Sequence, residues 1–315
     1  MTLAVRPCST TDLAAVLALA RADQERATGR ASRLGENQVK EWWHGVDLGR
    51  DSWLLTAPDS PAPVAAAWLE RWSDDLGVTK PLAPGPETLS QLLDLVEARA
   101  QERGLARQQV SVLLPDPVGE RVLLGHGYRE VRRFLRMAVR LDGAPPAVTL
   151  PPGFTLHPVT PSDLRAVHAT LDEAFRDHWE HHSEPFDQWW RRRSAVPDVD
   201  LAWWFVVKEH DQTVATARTL PGRDGGLFVA TLGVRPRWRG RGLAKALLLH
   251  AFARAHAAGH GRASLSVDAA NATGATALYR RVGMTVELES AVWERPLPPA
   301  LRPAATPPPR PRPGP

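Results

Sequence analysis

An internal repeat constrains this chain most, because its two halves carry the same landmarks about 150 residues apart. The segment 5–16 (VRPCSTTDLAAV) aligns with 156–167 (LHPVTPSDLRAV), and each predicts a strand followed by a Ser or Asp helix cap. Two aromatic landmarks also recur: Trp42-Trp43 with Trp189-Trp190, and 53–55 (WLL) with 204–206 (WFV). We therefore predict that the two halves share one fold.

A turn-rich stretch separates the halves. Residues 143–153 (GAPPAVTLPPG) have the Gly and Pro content of a domain linker, and the Pro-rich end of the chain has the composition of an extended, disordered segment. The expected organisation is a first domain at 1–142, a linker at 143–153, a second domain at 154–296 and a disordered tail at 297–315.

The composition limits the classes of function. No apolar run approaches the roughly eighteen residues that span a bilayer, and Arg6 and Asp12 interrupt the start of the chain where a secretory signal needs apolar residues. A single cysteine, Cys8, excludes an internal disulfide. We therefore expect a soluble, cytoplasmic monomer or homodimer that does not associate with membranes.

Positive charge is concentrated in one place. The chain has a formal net charge of +4, and one short loop of the second half holds Arg235, Arg237, Arg239 and Arg241. Such a cluster suits a small polyanion better than a nucleic-acid duplex. We therefore expect no nucleic-acid partner.

Hydrophobic periodicity in the second half predicts a mixed α/β sheet with helices on its faces. The turn signal at 210–212 (HDQ) predicts that the strands 203–207 and 214–220 form a hairpin. The predicted strands are 203–207, 214–220, 227–234, 263–267 and 285–293, and the predicted helices are 243–258 and 272–282.

The loop before helix 243–258 has the features of an anion site. The first turn of a helix offers unpaired main-chain amides and the positive end of the helix dipole. Gly240 and Gly242 let a phosphate approach the main chain closely, and the arginines of the loop add positive charge. The sequence therefore predicts that a phosphate-containing ligand binds here.

Two motifs carry a family resemblance. The pattern Arg237-x-x-Gly240-x-Gly242-Leu-Ala244, which follows 232–234 (LGV), resembles the acyl-CoA signature of the GCN5-related N-acetyltransferases, the GNAT superfamily. The segments 267–271 (VDAAN) and 277–284 (ALYRRVGM) are similar to the family's second CoA segment, with Met284 where an aromatic residue is usual. The resemblance implies an α/β fold of two tandem GNAT-like domains, each a mixed central sheet with helices on both faces. This arrangement is similar to that of mycothiol synthases.

The resemblance also implies acetyl-CoA as co-substrate and roles for the matching positions. Amides of Leu232 and Val234 would hold the thioester carbonyl and pantetheine, and Tyr279 would be the general acid for the CoA thiolate. The complete set assigned to acetyl-CoA is Leu232, Gly233, Val234, Arg237, Arg239, Gly240, Arg241, Gly242, Leu243, Ala244, Lys245 and Asn271.

The general base stays open at this point. An attacking amine must lose a proton, yet the strand 227–232 contains neither Asp nor Glu. One candidate is Asp268, at the end of the neighbouring predicted strand. Glu180 and His178, in the segment 177–182 (DHWEHH), rank above it.

The same segment holds three histidines, which could suggest a metal site. We expect the segment to be helical, and neighbouring histidines on a helix do not point toward one ion. No Cys or His cluster elsewhere in the sequence completes a ligand set. We therefore predict no metal.

The first half lacks the anion loop. The aligned segment 77–89 (GVTKPLAPGPETL) has no arginine and no paired glycines, and Pro84 and Pro86 lack amide donors. Glu87 has the wrong charge for an anion, and Leu123 stands where Tyr279 stands in the second half. We predict that the first half keeps the fold without acetyl-CoA chemistry, and either shapes the acceptor site or only braces its partner.

The leading hypothesis is an N-acetyltransferase that moves an acetyl group from acetyl-CoA to a primary amine of a small molecule, by direct transfer in a ternary complex. Alternatives are a protein N-terminal or lysine acetyltransferase, an enzyme for longer acyl chains, and a non-catalytic acyl-CoA-responsive binding module.

Overall fold

The structure is a computed structural model that describes residues 3–298 except 59, 61, 196–198, 224 and 272. The predicted tail therefore lies almost entirely outside the described residues. Leu297, its first residue, is buried in the core of the first half, and its amide donates to the carbonyl of Ala106 at 2.8 Å. The packed part of the chain thus extends at least to Leu297.

The elements of the two halves follow in the same order. The first half comprises β1 (Ala4–Arg6), α1 (Leu13–Thr28), α2 (Glu36–Trp42), β2 (Ser52–Thr56), β3 (Pro63–Arg71), β4 (Leu76–Thr79), α3 (Pro86–Glu102), β5 (Arg107–Leu114), α4 (Pro117–Gly125) and β6 (Arg129–Arg140). The second half comprises β7 (Phe154–Pro158), α5 (Leu164–Phe175), α6 (Phe186–Ser194), β8 (Trp204–Glu209), β9 (Gln212–Arg223), β10 (Gly226–Val234), α7 (Leu243–Ala257), β11 (Arg262–Asp268), α8 (Ala275–Arg281) and β12 (Thr285–Pro296). Among the described residues, no helix has the length and apolar character of a membrane span.

The aligned starts of the two halves form the same local structure. In the first half the carboxylate of Asp12 accepts the amide of Ser9 at 2.8 Å, and in the second half Asp163 accepts the amide of Thr160 at 2.9 Å. Each carboxylate satisfies an amide that the following helix leaves unpaired. The structure therefore confirms a duplicated fold at the level of its helix caps.

The two halves form one twelve-stranded mixed sheet, in the order β1-β2-β3-β4-β5-β12-β6-β11-β10-β9-β8-β7. The mixed α/β class predicted from the sequence is therefore confirmed. The last strand of each half lies beside strands of the other half, because β6 pairs with β11 and β12 pairs with both β5 and β6. This exchange, which the sequence did not indicate, joins the halves by main-chain hydrogen bonds.

Apolar side chains of α7 fix the position of the predicted loop. Leu243, Leu247, Leu248 and Phe252 are buried in the main core of the second half, against the strands β8 to β11. Leu243 and Leu247 are four residues apart, as are Leu248 and Phe252, so the two members of each pair lie on the same side of the helix. The N-terminus of α7 is thereby held at the end of β10.

The expected helix at 177–182 is wrong. The helix α5 ends at Phe175 and α6 begins at Phe186, and the residues between them form turns and irregular chain. Glu180 has φ 52°, in the left-handed region, and its carboxylate accepts a hydrogen bond from Arg107 of the first half at 2.8 Å. A contact with the other half thus overrides the local preference, which sequence periodicity alone cannot show.

Candidate active site

The strands β10 and β11 separate to form a cleft. They pair in parallel only from Leu227 to Val229, opposite Ala263 to Leu265, although β10 continues to Val234 and β11 to Asp268. An irregularity in the pairing of β10 with β9 lies between Val229 and Thr231. A bulge of this kind bends the strand and ends its pairing on one side.

Main-chain amides of β10 face this cleft. The amide of Arg235 donates to the carbonyl of Val214, on the β9 side, at 3.0 Å. Amides of successive strand residues point to opposite sides. Because the register from Thr231 to Val234 is regular, the amides of Val234 and Leu232 point away from β9 and into the cleft.

The beginning of α7 supplies a second set of donors at the mouth of the cleft. Gly240 and Gly242 have φ 78° and 80°, and a Cβ at either position would meet no atom within 4 Å. Their backbone conformation, rather than local crowding, therefore requires glycine. Within the described residues, the amides from 240 to 245 have no hydrogen-bond acceptor, and the first amide that does is that of Ala246, bonded to Gly242.

The arginines of the loop have different positions. Arg239 lines the cleft and donates to the carbonyl of Ala174 at 2.9 Å. Arg235 pairs with Glu173 at 3.0 Å, Arg241 lies 3.5 Å from Glu209, and Arg237 lies against the ring of Trp238. Of the three arginines predicted to bind an anion, Arg239 lies at the wall of the cleft, and Arg237 and Arg241 do not.

Most of the predicted acetyl-CoA residues line one cavity of about 570 Å³. Its walls include Leu232, Gly233, Val234, Arg239, Gly240, Gly242, Leu243, Ala244, Lys245 and Asn271, together with the predicted catalytic residues His178, Asp268 and Tyr279. Burial raises the pKa of Tyr279 to about 12, so its phenol stays protonated at neutral pH.

A second cavity of about 550 Å³ adjoins the first, and we call it the acceptor cavity. Three residues line both cavities, namely Phe175, His178 and Thr231. The first half contributes Trp72, Ser73 and Asp74, from the connection between β3 and β4, and the second half contributes the remaining walls. Two ligands can therefore meet at Thr231 and His178.

The three candidate bases have different surroundings. Glu180 lines only the acceptor cavity and is paired with Arg107. Asp268 has a side chain only 2% exposed and accepts from the Nε atom of Arg132 at 3.0 Å. His178 lines both cavities, and within the described chain no hydrogen bond engages its ring.

Several residues of the two cavities had no signal in the sequence. Among the described residues, the hydroxyl of Thr231 is buried without a hydrogen-bond partner. From the first half, Trp72 lines the acceptor cavity, and Arg107 and Arg132 pair with the two candidate carboxylates. Their positions depend on the exchanged strands and on contacts between the halves. Among the described residues, no cluster of three or more His, Cys, Asp or Glu side chains could hold a metal ion.

The comparisons with known proteins agree with this geometry. Residues 164–284 match the model of the acetyltransferase (GNAT) family, so the second half contains a GNAT acetyltransferase domain. A mycothiol acetyltransferase of Thermobispora bispora is 33% identical over 178 residues, which are 54% of this chain and 59% of that protein. The match thus spans less than two thirds of the relative.

Solved structures extend the likeness to the whole chain. A GCN5-related N-acetyltransferase from Sphaerobacter thermophilus superposes with a TM-score of 0.82 at 28% identity, covering 96% of this chain and 98% of that one. A tandem GNAT protein from the clavulanic acid biosynthesis pathway gives a TM-score of 0.70 at 13% identity, with coverages of 95% and 99%. At that identity the second likeness concerns the fold, and it supports the tandem architecture.

Proposed function

We propose that this chain is an N-acetyltransferase that moves an acetyl group from acetyl-CoA to a primary amine of a small molecule, by direct transfer in a ternary complex. The observation that carries the proposal is the junction of two cavities at His178 and Thr231. One cavity is lined by amides that have no acceptor within the described chain and could bind a diphosphate, and the other provides room for the amine beside it.

The first cavity suits acetyl-CoA in its donor groups. Amides at the start of α7, with Lys245 and Arg239 beside them, would hold the diphosphate. The amides of Leu232 and Val234 would bind pantetheine and the negative charge that develops on the thioester oxygen. Asn271 would contact the cofactor arm from the opposite side of the cleft.

Two side chains would move the protons. His178 would take a proton from the attacking amine, so that the C–N bond can form. Tyr279, which is protonated at neutral pH, would donate its phenolic proton to the sulfur as the C–S bond breaks. We prefer His178 to Glu180 and Asp268 because arginines hold both carboxylates.

The acceptor cavity supports a small molecule as the second substrate. Residues of both halves form its walls, and its volume of about 550 Å³ is within the range of small-ligand sites. The name of the Thermobispora relative, mycothiol acetyltransferase, also indicates a small acceptor for that protein.

Calorimetric titration of Gly240→Pro with acetyl-CoA tests the donor site. Proline removes an amide and cannot adopt φ 78°, so we expect affinity to fall at least about 100-fold. Gly259→Pro is the matched control, because Gly259 has φ 82° at the other end of α7 and imposes comparable strain. Unchanged binding by Gly240→Pro would remove the loop from the mechanism.

A mass-spectrometric screen of amines and peptides with acetyl-CoA separates the enzyme from its alternatives. Acetylation of small amines supports the proposal, and acetylation of peptides alone supports a protein acetyltransferase. Acetyl-CoA binding without acetylation of any amine would instead support a non-catalytic binding module.

A further inference from the structure

A buried arginine lies next to the junction of the two cavities. Arg218, in the middle of β9, is aligned with Trp204 on β8 and with Thr231 on β10. Aligned residues of neighbouring strands project from the same face of a sheet. Arg218 is only 7% exposed, and its guanidinium lies 4.5 Å from the ring centre of Trp204.

Arg218 has no hydrogen-bond partner among the described residues, and its Nε atom is completely buried. The acids nearby are engaged elsewhere, since Arg223 contacts Glu41 at 2.5 Å and Arg193 contacts Glu184 at 2.9 Å. Burial, together with the charge of Arg193, lowers the pKa of Arg218 to about 9. An unpaired buried cation is costly, so an anionic partner would stabilise it strongly.

Further unsatisfied donors surround this guanidinium. The indole Nε1 of Trp204 and the hydroxyl of Thr231 lie one on each side of Arg218, and both are buried without a partner among the residues that the structure describes. Thr231 and Arg193 both line the acceptor cavity, and so does Trp189, which packs edge-on against Trp204 at 6.2 Å. Thr231 therefore lines that cavity, and Arg218 and Trp204 lie directly behind its wall, next to Thr231 and Trp189.

We propose that Arg218 forms a carboxylate-binding subsite, so that the preferred acceptor is an amine that also carries a carboxylate. The inference rests on the proposed function, because it concerns the second substrate of that reaction. Glu184 pairs with Arg193 and Glu41 pairs with Arg223, so that no carboxylate of the described residues is in contact with the guanidinium of Arg218. One charge matches a carboxylate better than a phosphate dianion, and a guanidinium can bind a carboxylate through two parallel hydrogen bonds.

The test uses matched pairs of acceptors that differ only in this group. Glycine, β-alanine, 4-aminobutyrate, 5-aminovalerate and lysine are each compared with their carboxamides, by rate of acetylation and by calorimetric binding in the presence of CoA. We expect the wild type to favour at least one acid over its amide by roughly tenfold to a hundredfold. Arg218→Met should abolish that preference by weakening the acid alone.

A matched variant controls for structural damage. Arg254→Met removes another arginine that lies against an indole, at 4.9 Å from Trp203, but Arg254 is on α7 and not beside Thr231 as Arg218 is. This variant should keep the acid preference. Arg218→Met should retain its acetyl-CoA affinity and a melting temperature at least equal to that of the wild type, because a buried unpaired charge is removed.

The outcomes are distinguishable from those of the proposed function. Equal handling of every acid and its amide by the wild type, or equal losses for both in Arg218→Met, would overturn the carboxylate subsite. Absence of acetylation would contradict the proposed N-acetyltransferase activity but not the carboxylate subsite, because the calorimetric titrations still compare the binding of each acid with that of its amide.

Discussion

The two halves differ most where each parallel strand pair leads into its helix. In the first half, β4 pairs with β5 along its whole length, from Leu76 to Thr79. The chain then turns back, and Leu82 exchanges two main-chain hydrogen bonds with Ala66 at 2.7 and 2.9 Å. In the second half, pairing with β11 stops at Val229 and the rest of β10 faces an open cleft.

The helices that follow these strands, α3 and α7, differ in the main-chain amides of their first turns. Pro86 begins α3 without an amide, and the amide of Gly85 donates to the hydroxyl of Thr88 at 3.3 Å. At the start of α7, the amides from 240 to 245 have no acceptor within the described residues. The two halves therefore share a fold but not the separated strands and free first-turn amides on which the proposed diphosphate site depends.

Separating the halves should have the largest effect. A second half produced alone from Ala144 onward loses β6 beside β11, and both β5 and β6 beside β12. Loss of these partners leaves β11 and β12 with unpaired edges. We therefore expect the isolated second half to show no cooperative thermal unfolding and no acetyl-CoA binding. Co-expression with residues 1–143 should restore both. Cooperative unfolding of the isolated second half would show that the exchanged strands are dispensable.

The only two tyrosines of the chain, one in each half, provide the next contrast. We expect Tyr279→Phe to lower kcat by about 10²- to 10⁴-fold with little change in acetyl-CoA affinity, because a proton donor is lost. Tyr128→Phe should leave turnover unchanged. Because the pKa of Tyr279 is about 12, its phenol stays protonated between pH 7 and 10, and the loss of kcat in Tyr279→Phe should be the same across this range. A Tyr279→Phe variant with wild-type turnover would exclude Tyr279 as the acid.

Removal of the proposed base should have a somewhat smaller effect. His178→Gln should lower kcat/KM by about 100-fold at pH 7, and the deficit should shrink as pH rises and more of the amine is already neutral. His44→Gln, at an exposed histidine of the first half, is the control. If His178→Gln loses little, parallel Glu180→Gln and Asp268→Asn variants show which carboxylate acts instead.

The smallest effect concerns alkaline stability. Burial raises the pKa of both tyrosines, and the Glu97 carboxylate raises that of Tyr128 further. A folded-state pKa above the unfolded value of about 10 gives stability that is present below pH 10 and lost above it, by up to about 1.4 kcal/mol per pH unit per group. Urea titrations from pH 9 to 11.5 should show a shallower decline for either Tyr→Phe variant. An unchanged decline would contradict the burial of both phenols.

Much of the second half follows from local sequence. The predicted helix at 243–258 corresponds to α7, and the predicted strand at 263–267 corresponds to β11. Apolar spacing and the glycines of the loop act between residues close in the chain, so their pattern is visible without the tertiary structure. The same applies to the amides at the start of α7, since every helix leaves its first amides unpaired.

The acceptor side of the site could not be predicted in this way. The contact between Glu180 and Arg107 joins residues from different halves, and it replaced an expected helix with an irregular segment. Likewise, the wall at Trp72 depends on how the halves pack. No local pattern encodes such contacts, because many pairings of charged or aromatic residues are equally compatible with one sequence.

The sequence by itself determined the duplication, the mixed α/β class and the helix start with its unpaired amides, because periodicity and first-turn chemistry are local. Only the tertiary structure decided that the halves exchange strands, that two cavities meet at Thr231, and that Arg218 is buried without a hydrogen-bond partner in the described part of the chain. The reason is physical: strand pairing, burial and charge compensation depend on which distant residues become neighbours.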